Sequence, residues 1–283
     1  MWALWFGTRG YERWIKMPRI DMEAGRYGYS SRTDQVNGGV SSHNSVAGHQ
    51  EYGMEWNVSP TPDIEKITAI LAGNYDTEAN RGLLYFIDPA QARKNLFPEL
   101  WASPFKCALG APSLTKGVKP TLSDTASNTS DLPARSATFT VTEDSSRLRL
   151  YVPIPEGYTA RWAFYGPTEQ TDKIEVVEYT GSTAGSPVNH DILDNDEWGT
   201  GLTETTSTGV EFALADAGGS IALTTALLQI APTGGVISAP PKWLAGLGHS
   251  GCERDGDYNS VYHSAEHDQM TLSVRLLERG SWL

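Results

Sequence analysis

Cysteine and long hydrophobic runs are scarce in this chain. Only Cys107 and Cys252 occur among 283 residues, which excludes a disulfide scaffold and a four-cysteine metal site, while a bond between the two stays open. No apolar run reaches the roughly 18 residues that a membrane-spanning helix needs. Residues 1–6 are apolar, but no basic segment precedes them. We therefore expect neither membrane insertion nor a signal peptide.

Basic residues are also in deficit. The chain has 22 Lys and Arg against 34 Asp and Glu, which gives a formal net charge of -12. A protein that binds nucleic acid through its phosphates presents a basic surface. We therefore expect no nucleic-acid partner, and the excess of acidic residues indicates a well-solvated surface.

Aromatic residues, glycine and proline are frequent. The chain has nine Trp, twelve Tyr and seven Phe, together with 28 Gly and 16 Pro. This composition favours a mostly β fold of short strands joined by turns. Strict alternation of apolar and polar residues over residues 51–58 predicts a strand with one buried face. Residues 221–230 read as a strand or a helix, and we predict a strand because two threonines interrupt the helical face.

One helix is well signalled. Thr61 is the expected N-cap, and Pro62 suits the first helical position. Three isoleucines and a leucine then share one face: Ile64, Ile67, Ile70, Leu71. Gly73 is expected to end the helix. We also predict a second short helix after Pro89.

A polar stretch divides the sequence into two parts. Residues 112–135 contain almost no large apolar side chains and cannot bury enough surface to fold alone. We predict an N-terminal β-rich module with one or two short helices over residues 1–125, a linker over 126–135, and a C-terminal β-sandwich or jelly-roll module over 136–283. The last strand, in residues 270–283, completes the second module or packs back on the first.

Several short patterns point to chemistry only weakly. Residues 246–251, GLGHSG, match a nucleotide-binding fingerprint but lack its strand–turn–helix context, so we predict a loop. His263 and His267 would share a helix face and hold a metal, but a solvated hairpin fits their polar flanks better. We expect no catalytic residue, no metal and no cofactor.

An acidic stretch ends at a tryptophan. Crowded carboxylates, here Asp191, Asp194, Asp196 and Glu197, can hold calcium, and an exposed Trp198 can stack on a sugar ring. The alternative is a solvated acidic loop. Trp198, Asp194 and Asp196 are therefore the candidate glycan contacts.

Residues 82–104 carry a resemblance to a known family. An apolar run stops at Asp88-Pro89, and a polar segment leads to a Pro-Glu-Leu-Trp anchor. This segment resembles minor tail proteins of siphophages that infect actinobacteria, and most of all a distal tail protein. The early Gly10-Tyr11, the strand at residues 51–58 and the closing SVRLLERGSW are also similar to those proteins.

The resemblance implies a structural virion component and not an enzyme. It implies a ring of identical subunits, a hexamer or trimer, at the tail tip, which joins the tail tube to the baseplate or host-adhesion apparatus. Expected partners are the tail tube, tail-tip hub or baseplate, and tape measure proteins. Assembly is expected in the host cytoplasm. The resemblance also implies that the second module is galectin-like. The alternative function is a carbohydrate-binding adhesin that contacts host surface glycans.

Ring subunits meet through closing interfaces, which use exposed aromatics and long loops. The candidate interface residues lie in the opening aromatic segment and in the loop at residues 36–50: Trp2, Trp5, Phe6, His43, His49. The same aromatics can instead fill the core.

Overall fold

The computed structural model describes part of the chain. The described residues are 3–23, 30–34, 40–44, 51–76, 82–87, 95–97, 99–102, 104, 118–123, 135–141, 149–194, 198, 201–214, 219–237, 251–254, 257–264 and 269–278. They form a mostly β protein, as the composition predicts. Neither helix in these ranges is long and apolar enough to cross a membrane.

The elements follow one another in chain order. They are β1 (Ala3–Gly7), β2 (Arg13–Lys16), β3 (Arg19–Glu23), β4 (Ser30–Asp34), β5 (Val40–Asn44), β6 (Glu51–Pro60), α1 (Thr61–Leu71), β7 (Tyr85–Ile87), α2 (Glu99–Ala102), β8 (Val118–Ser123), β9 (Ser136–Val141), β10 (Arg149–Pro153), β11 (Tyr158–Tyr165), β12 (Gln170–Thr180), β13 (Thr183–Ala184), β14 (Val188–Ile192), β15 (Gly201–Leu202), β16 (Gly209–Leu214), β17 (Ser220–Leu223), β18 (Thr225–Pro232), β19 (Cys252–Arg254), β20 (Asn259–Ser264) and β21 (Gln269–Glu278).

Antiparallel pairing arranges these strands in six sheets. The strand orders are β2-β1-β7, β19-β21-β6-β3, β4-β5, β17-β9-β8, β15-β11-β18 and β10-β16-β12-β13, with β20 added on β21 and β14 on β12. The last strand, β21, pairs with β6 over the length of both strands. The chain therefore returns at its end to the sheet that its first part began.

Strand β6 alternates as predicted. Tyr52, Met54 and Trp56 are buried, and Asn57 is exposed. The predicted strand at residues 221–230 is also confirmed, as β17 and β18. These two strands are separated at Thr224, whose N–H donates to the carbonyl of Tyr165 at 2.7 Å. Local sequence pattern therefore identified both segments, alternation in β6 and the interrupted helical face in residues 221–230.

Helix α1 lies where the sequence places it, but its N-cap differs. Pro60 is the N-cap, and no side chain caps the helix. Thr61 is the first helical residue, and its hydroxyl oxygen is buried without a hydrogen-bond partner, so the prediction that it caps the helix was wrong. The predicted apolar face is buried and Gly73 adopts φ +78° just past the end, where glycine avoids the strain of a Cβ.

The second described helix, α2, is distinct from the short helix predicted after Pro89. It occupies Glu99–Ala102, within the Pro-Glu-Leu-Trp anchor. The segment directly after Pro89, where the sequence suggested a helix, lies outside the described residues. Trp101 and Ala102 of α2 are both buried, so this short helix serves as an anchor.

A large core extends across both parts of the sequence. It combines Trp5, Ile87, Phe97 and Trp101 with the inward faces of the two sheets β10-β16-β12 and β15-β11-β18. Strand β8, from before the expected linker, pairs with β9, from after it. Residue 125 and most of the expected linker lie outside the described residues, so the division of the chain at that point stays a prediction.

Candidate functional site

The turn between β1 and β2 brings charged side chains against a sheet. The N–H of Tyr11 donates to the carbonyl of Thr8 at 2.8 Å, which closes the turn. Gly10 has φ +83°, and a Cβ on it would lie 3.2 Å from the Cα of Ser182. Only glycine combines this backbone conformation with so close an approach. The turn therefore rests against the connection between β12 and β13.

Arg9 extends from this turn over the outer face of the sheet β10-β16-β12. Its guanidinium lies 4.8 Å from the ring centroid of Tyr151 and 4.2 Å from that of Tyr179. One of its nitrogens, Nη2, lies 2.7 Å from Oε2 of Glu211. Rings that face a cation in this way stabilise it by a further fraction of a kcal/mol to about 2 kcal/mol.

Glu211 is the anion at the centre of this arrangement. It is buried at 5% exposure. Besides Arg9, it accepts from Nη1 of Arg149 at 2.6 Å, through Oε1. The hydroxyl of Tyr179 lies 3.5 Å from its Oε2. Both carboxylate oxygens are thus occupied by cations, which offsets the cost of burying the charge.

Glu12 supplies the second carboxyl group. Its Oε1 accepts from the hydroxyl of Tyr151 at 2.9 Å, and its Oε2 accepts from the N–H of Gly10 at 2.9 Å. The residue keeps some exposed surface, but its carboxyl lies among the rings, and burial raises the pKa of Glu12 to about 7. The nearby Arg9 acts in the opposite direction on this pKa and does not cancel the effect of burial.

Two of the phenols are also perturbed by burial. Loss of hydration raises the pKa of Tyr85 and of Tyr151 well above the ordinary tyrosine value, and the negative charge of Glu12 adds to both shifts. The two rings meet edge to face with centroids 5.0 Å apart. Both phenols therefore stay neutral at physiological pH. We call the whole set the junction cluster: Arg9, Glu12, Tyr85, Arg149, Tyr151, Tyr179, Glu211.

The junction cluster satisfies its own charges and donors. The carboxylate oxygens of Glu211 face Arg9 and Arg149, and those of Glu12 face a phenol and a backbone N–H. A general acid or base must reach a proton of its substrate. Because these oxygens already have partners within the fold, the arrangement is suited to holding the turn on the sheet.

The structure describes two of the three predicted glycan contacts, Trp198 and Asp194. Trp198 is partly buried, packs against a small core of Ala163, Tyr165, Leu193 and Leu227, and donates its indole N–H to the carbonyl of Ile237 at 3.2 Å. Asp194 is partly exposed. Asp196 lies outside the described residues. The indole N–H of Trp198 and part of its ring are therefore engaged within the fold, and the glycan site stays a prediction.

Two of the three predicted interface aromatics, Trp5 and Phe6, lie inside the protein. Trp5 is 5% exposed in the large core, and Phe6 is fully buried in the core around β6 and α1. A subunit interface would use these two aromatics as exposed side chains, but both fill cores. His43 belongs to β5, but its side chain, like Trp2 and His49, lies outside the described residues.

The structure describes one histidine of the predicted pair, His263. His263 is exposed on β20, a strand that forms a hairpin with β21, and its Nε2 lies 2.7 Å from Oγ1 of Thr271. His267 lies outside the described residues. Within the described ranges, no three His, Cys, Asp or Glu side chains are grouped to hold a metal. Cys252 is buried beside β6, and Cys107 lies outside those ranges.

Sequence reasoning missed the junction cluster. One signal was present: Glu211 is the only charged residue in the otherwise apolar strand GVEFAL. A carboxylate there predicts a cation partner, since an unpaired buried charge is costly. Its partner Arg9 lies 202 positions earlier in the sequence, and no local pattern predicts such a pairing.

Comparison with known proteins adds no relative. No protein-family model matches the chain, and no curated protein and no solved structure does so either.

Proposed function

We propose that this chain is a structural component of a phage tail tip, of the distal tail protein type. In this role identical subunits form a ring, a hexamer or trimer, that joins the tail tube to the baseplate or adhesion apparatus. Its partners are further copies of itself, the tail tube protein, and the hub and tape measure proteins. The role is architectural, and no substrate is turned over.

The observation that carries the proposal is the position of residues 82–104, which hold the resemblance. Leu84 and Phe86 belong to the core around β6 and α1, while Ile87, Phe97 and Trp101 belong to the large core. Buried anchors constrain a fold more tightly than surface loops do, because close packing tolerates few changes of shape. A resemblance located there therefore concerns the scaffold itself.

The far end of this segment is fixed to β18 by buried hydrogen bonds. Nδ2 of Asn95 donates to the carbonyl of Ala226 at 2.9 Å, and its Oδ1 accepts from the N–H of Leu228 at 3.0 Å. The hydroxyl of Thr225 donates to the carbonyl of Ala102 at 2.7 Å. Each such bond stabilises the fold by about 1 kcal/mol. Rigid attachment of this kind suits a permanent part of an assembly.

The junction cluster supports the same role. Glu211 binds Arg9 from the first part of the sequence and Arg149 from its own part, and the phenols of Tyr85 and Tyr151 are neutral. A catalytic group needs a free face toward a substrate. The charges of the junction cluster thus contribute to cohesion of the fold.

Sedimentation velocity of the purified chain over a wide range of concentrations tests the proposal. We expect reversible growth from monomer to one closed species, and negative-stain images of that species should show rings. A chain that remains monomeric at every concentration contradicts the ring. If such a monomer also binds host glycans, the adhesin takes the place of the ring component.

A further inference from the structure

We propose that the turn of residues 8–12 is a pH-sensitive latch, which is closed on the sheet β10-β16-β12 in mild acid and opens more readily as the pH rises toward neutrality. The latch is a conformational device and does not depend on the tail-tip role. Arg9 and Glu12 of this turn contact Glu211 and Tyr151 on the outer face of that sheet.

Two side chains attach the turn, and they differ in kind. Arg9 forms an ion pair with Glu211 and stacks between two phenols, so its charge is compensated in the closed state. Glu12 is held by the hydroxyl of Tyr151 and the N–H of Gly10. Both of those donors are neutral. Burying the ionised carboxylate there costs more than burying the protonated one.

The groups that face Glu12 come from every neighbouring element. The turn itself contributes Arg9, and β7 contributes Tyr85. From the sheet come Tyr151 and Arg149 on β10, Tyr179 on β12 and Glu211 on β16. Both guanidinium groups lie within 2.7 Å of Glu211. Glu211 thus binds both guanidinium groups, whereas the carboxyl group of Glu12 faces phenols.

The sign of the effect follows from proton linkage. In the open state Glu12 is hydrated and regains its ordinary pKa of 4.5, whereas closure raises this pKa to about 7. The closed state therefore binds the proton more tightly. Its extra stability is complete below pH 4.5 and is lost as the pH rises through 7. Between about pH 5.5 and about pH 8, the opening constant should rise about thirty-fold.

Hydrogen exchange of a peptide covering residues 8–12 tests the latch, after correction for the intrinsic pH dependence of amide exchange. In the native chain we expect the corrected opening of the turn to rise about thirty-fold from about pH 5.5 to about pH 8. Glu12→Gln keeps a hydrogen-bonding group that cannot ionise, so its turn should open equally at both pH values. Glu169→Gln is the matched control, because Glu169 is exposed, and it should behave like the native chain.

Two results would overturn the latch. One is native exchange that is the same at both pH values after correction, and the other is a Glu12→Gln variant that keeps the full pH dependence. If Glu12→Gln does not fold, Tyr151→Phe replaces it. That variant removes the hydroxyl donor to Glu12 and leaves the ring, so the pH midpoint of opening should move upward. An unchanged midpoint in Tyr151→Phe also overturns the proposal.

Discussion

The two faces of strand β16 perform the same task by different means. On one face, Phe212 meets Phe97, Trp162 and Phe164 with ring centroids 5.0, 5.3 and 5.7 Å away. On the other, its neighbour Glu211 meets Arg9 and Arg149. Phe97 and Arg9 both come from the first part of the sequence. The same strand therefore attaches that part through a dry aromatic face and a charged face.

The difference between the faces concerns stability and specificity. Burial of aromatic area is favourable in many orientations, because the hydrophobic effect is not directional. A carboxylate that binds two guanidinium groups requires one position and one register. We therefore assign most of the stability to the Phe212 face. The Glu211 face fixes where the β1–β2 turn must sit.

The largest expected effect is on the dry face. Phe212→Ala removes a fully buried ring and leaves a cavity, so the free energy of unfolding should fall by about 3–5 kcal/mol. Denaturant unfolding measures this change. Leu202→Ala is the control, because Leu202 is 60% exposed, and it should cost no more than about 0.5 kcal/mol. Similar costs for the two variants would remove the distinction between core and surface on which the comparison depends.

A smaller effect is expected on the charged face. Glu211→Gln preserves the shape but leaves Arg9 and Arg149 without an anion, so the free energy of unfolding should fall by about 2 kcal/mol. The double variant Arg9→Met, Glu211→Gln should cost less than the sum of its single changes, because one unpaired cation is removed with the anion. Glu169→Gln serves again as the exposed control. Additive costs would mean that Arg9 and Glu211 are not coupled.

Local pattern predicted the elements of the fold better than their assembly. Alternation identified β6, the threonines that interrupt a helical face indicated the β17–β18 segment, and the apolar face of α1 followed from the spacing of its isoleucines. These features depend on neighbours within one turn or one strand. The mistaken N-cap at Thr61 arose because Pro60 already ends the preceding strand and occupies that position.

The long-range pairings could not be read from the sequence. The pairing of β21 with β6 and the docking of Asn95 on β18 join segments far apart in the chain, and neither has a local signature. The aromatics at Trp5 and Phe6 illustrate the same limit. Aromatic composition fits a core or an interface equally, and Trp5 and Phe6 are buried by two cores that are built from distant segments of the chain.

Differential scanning calorimetry in mild acid, where the latch is closed, tests the central claim that the two parts of the sequence share one core. The account predicts a single transition whose calorimetric enthalpy equals its van't Hoff enthalpy, because the core joins Trp5, Phe97 and Trp101 to the sheets of the second part. Two separate transitions would contradict it, as would a fragment of residues 1–125 that unfolds cooperatively on its own.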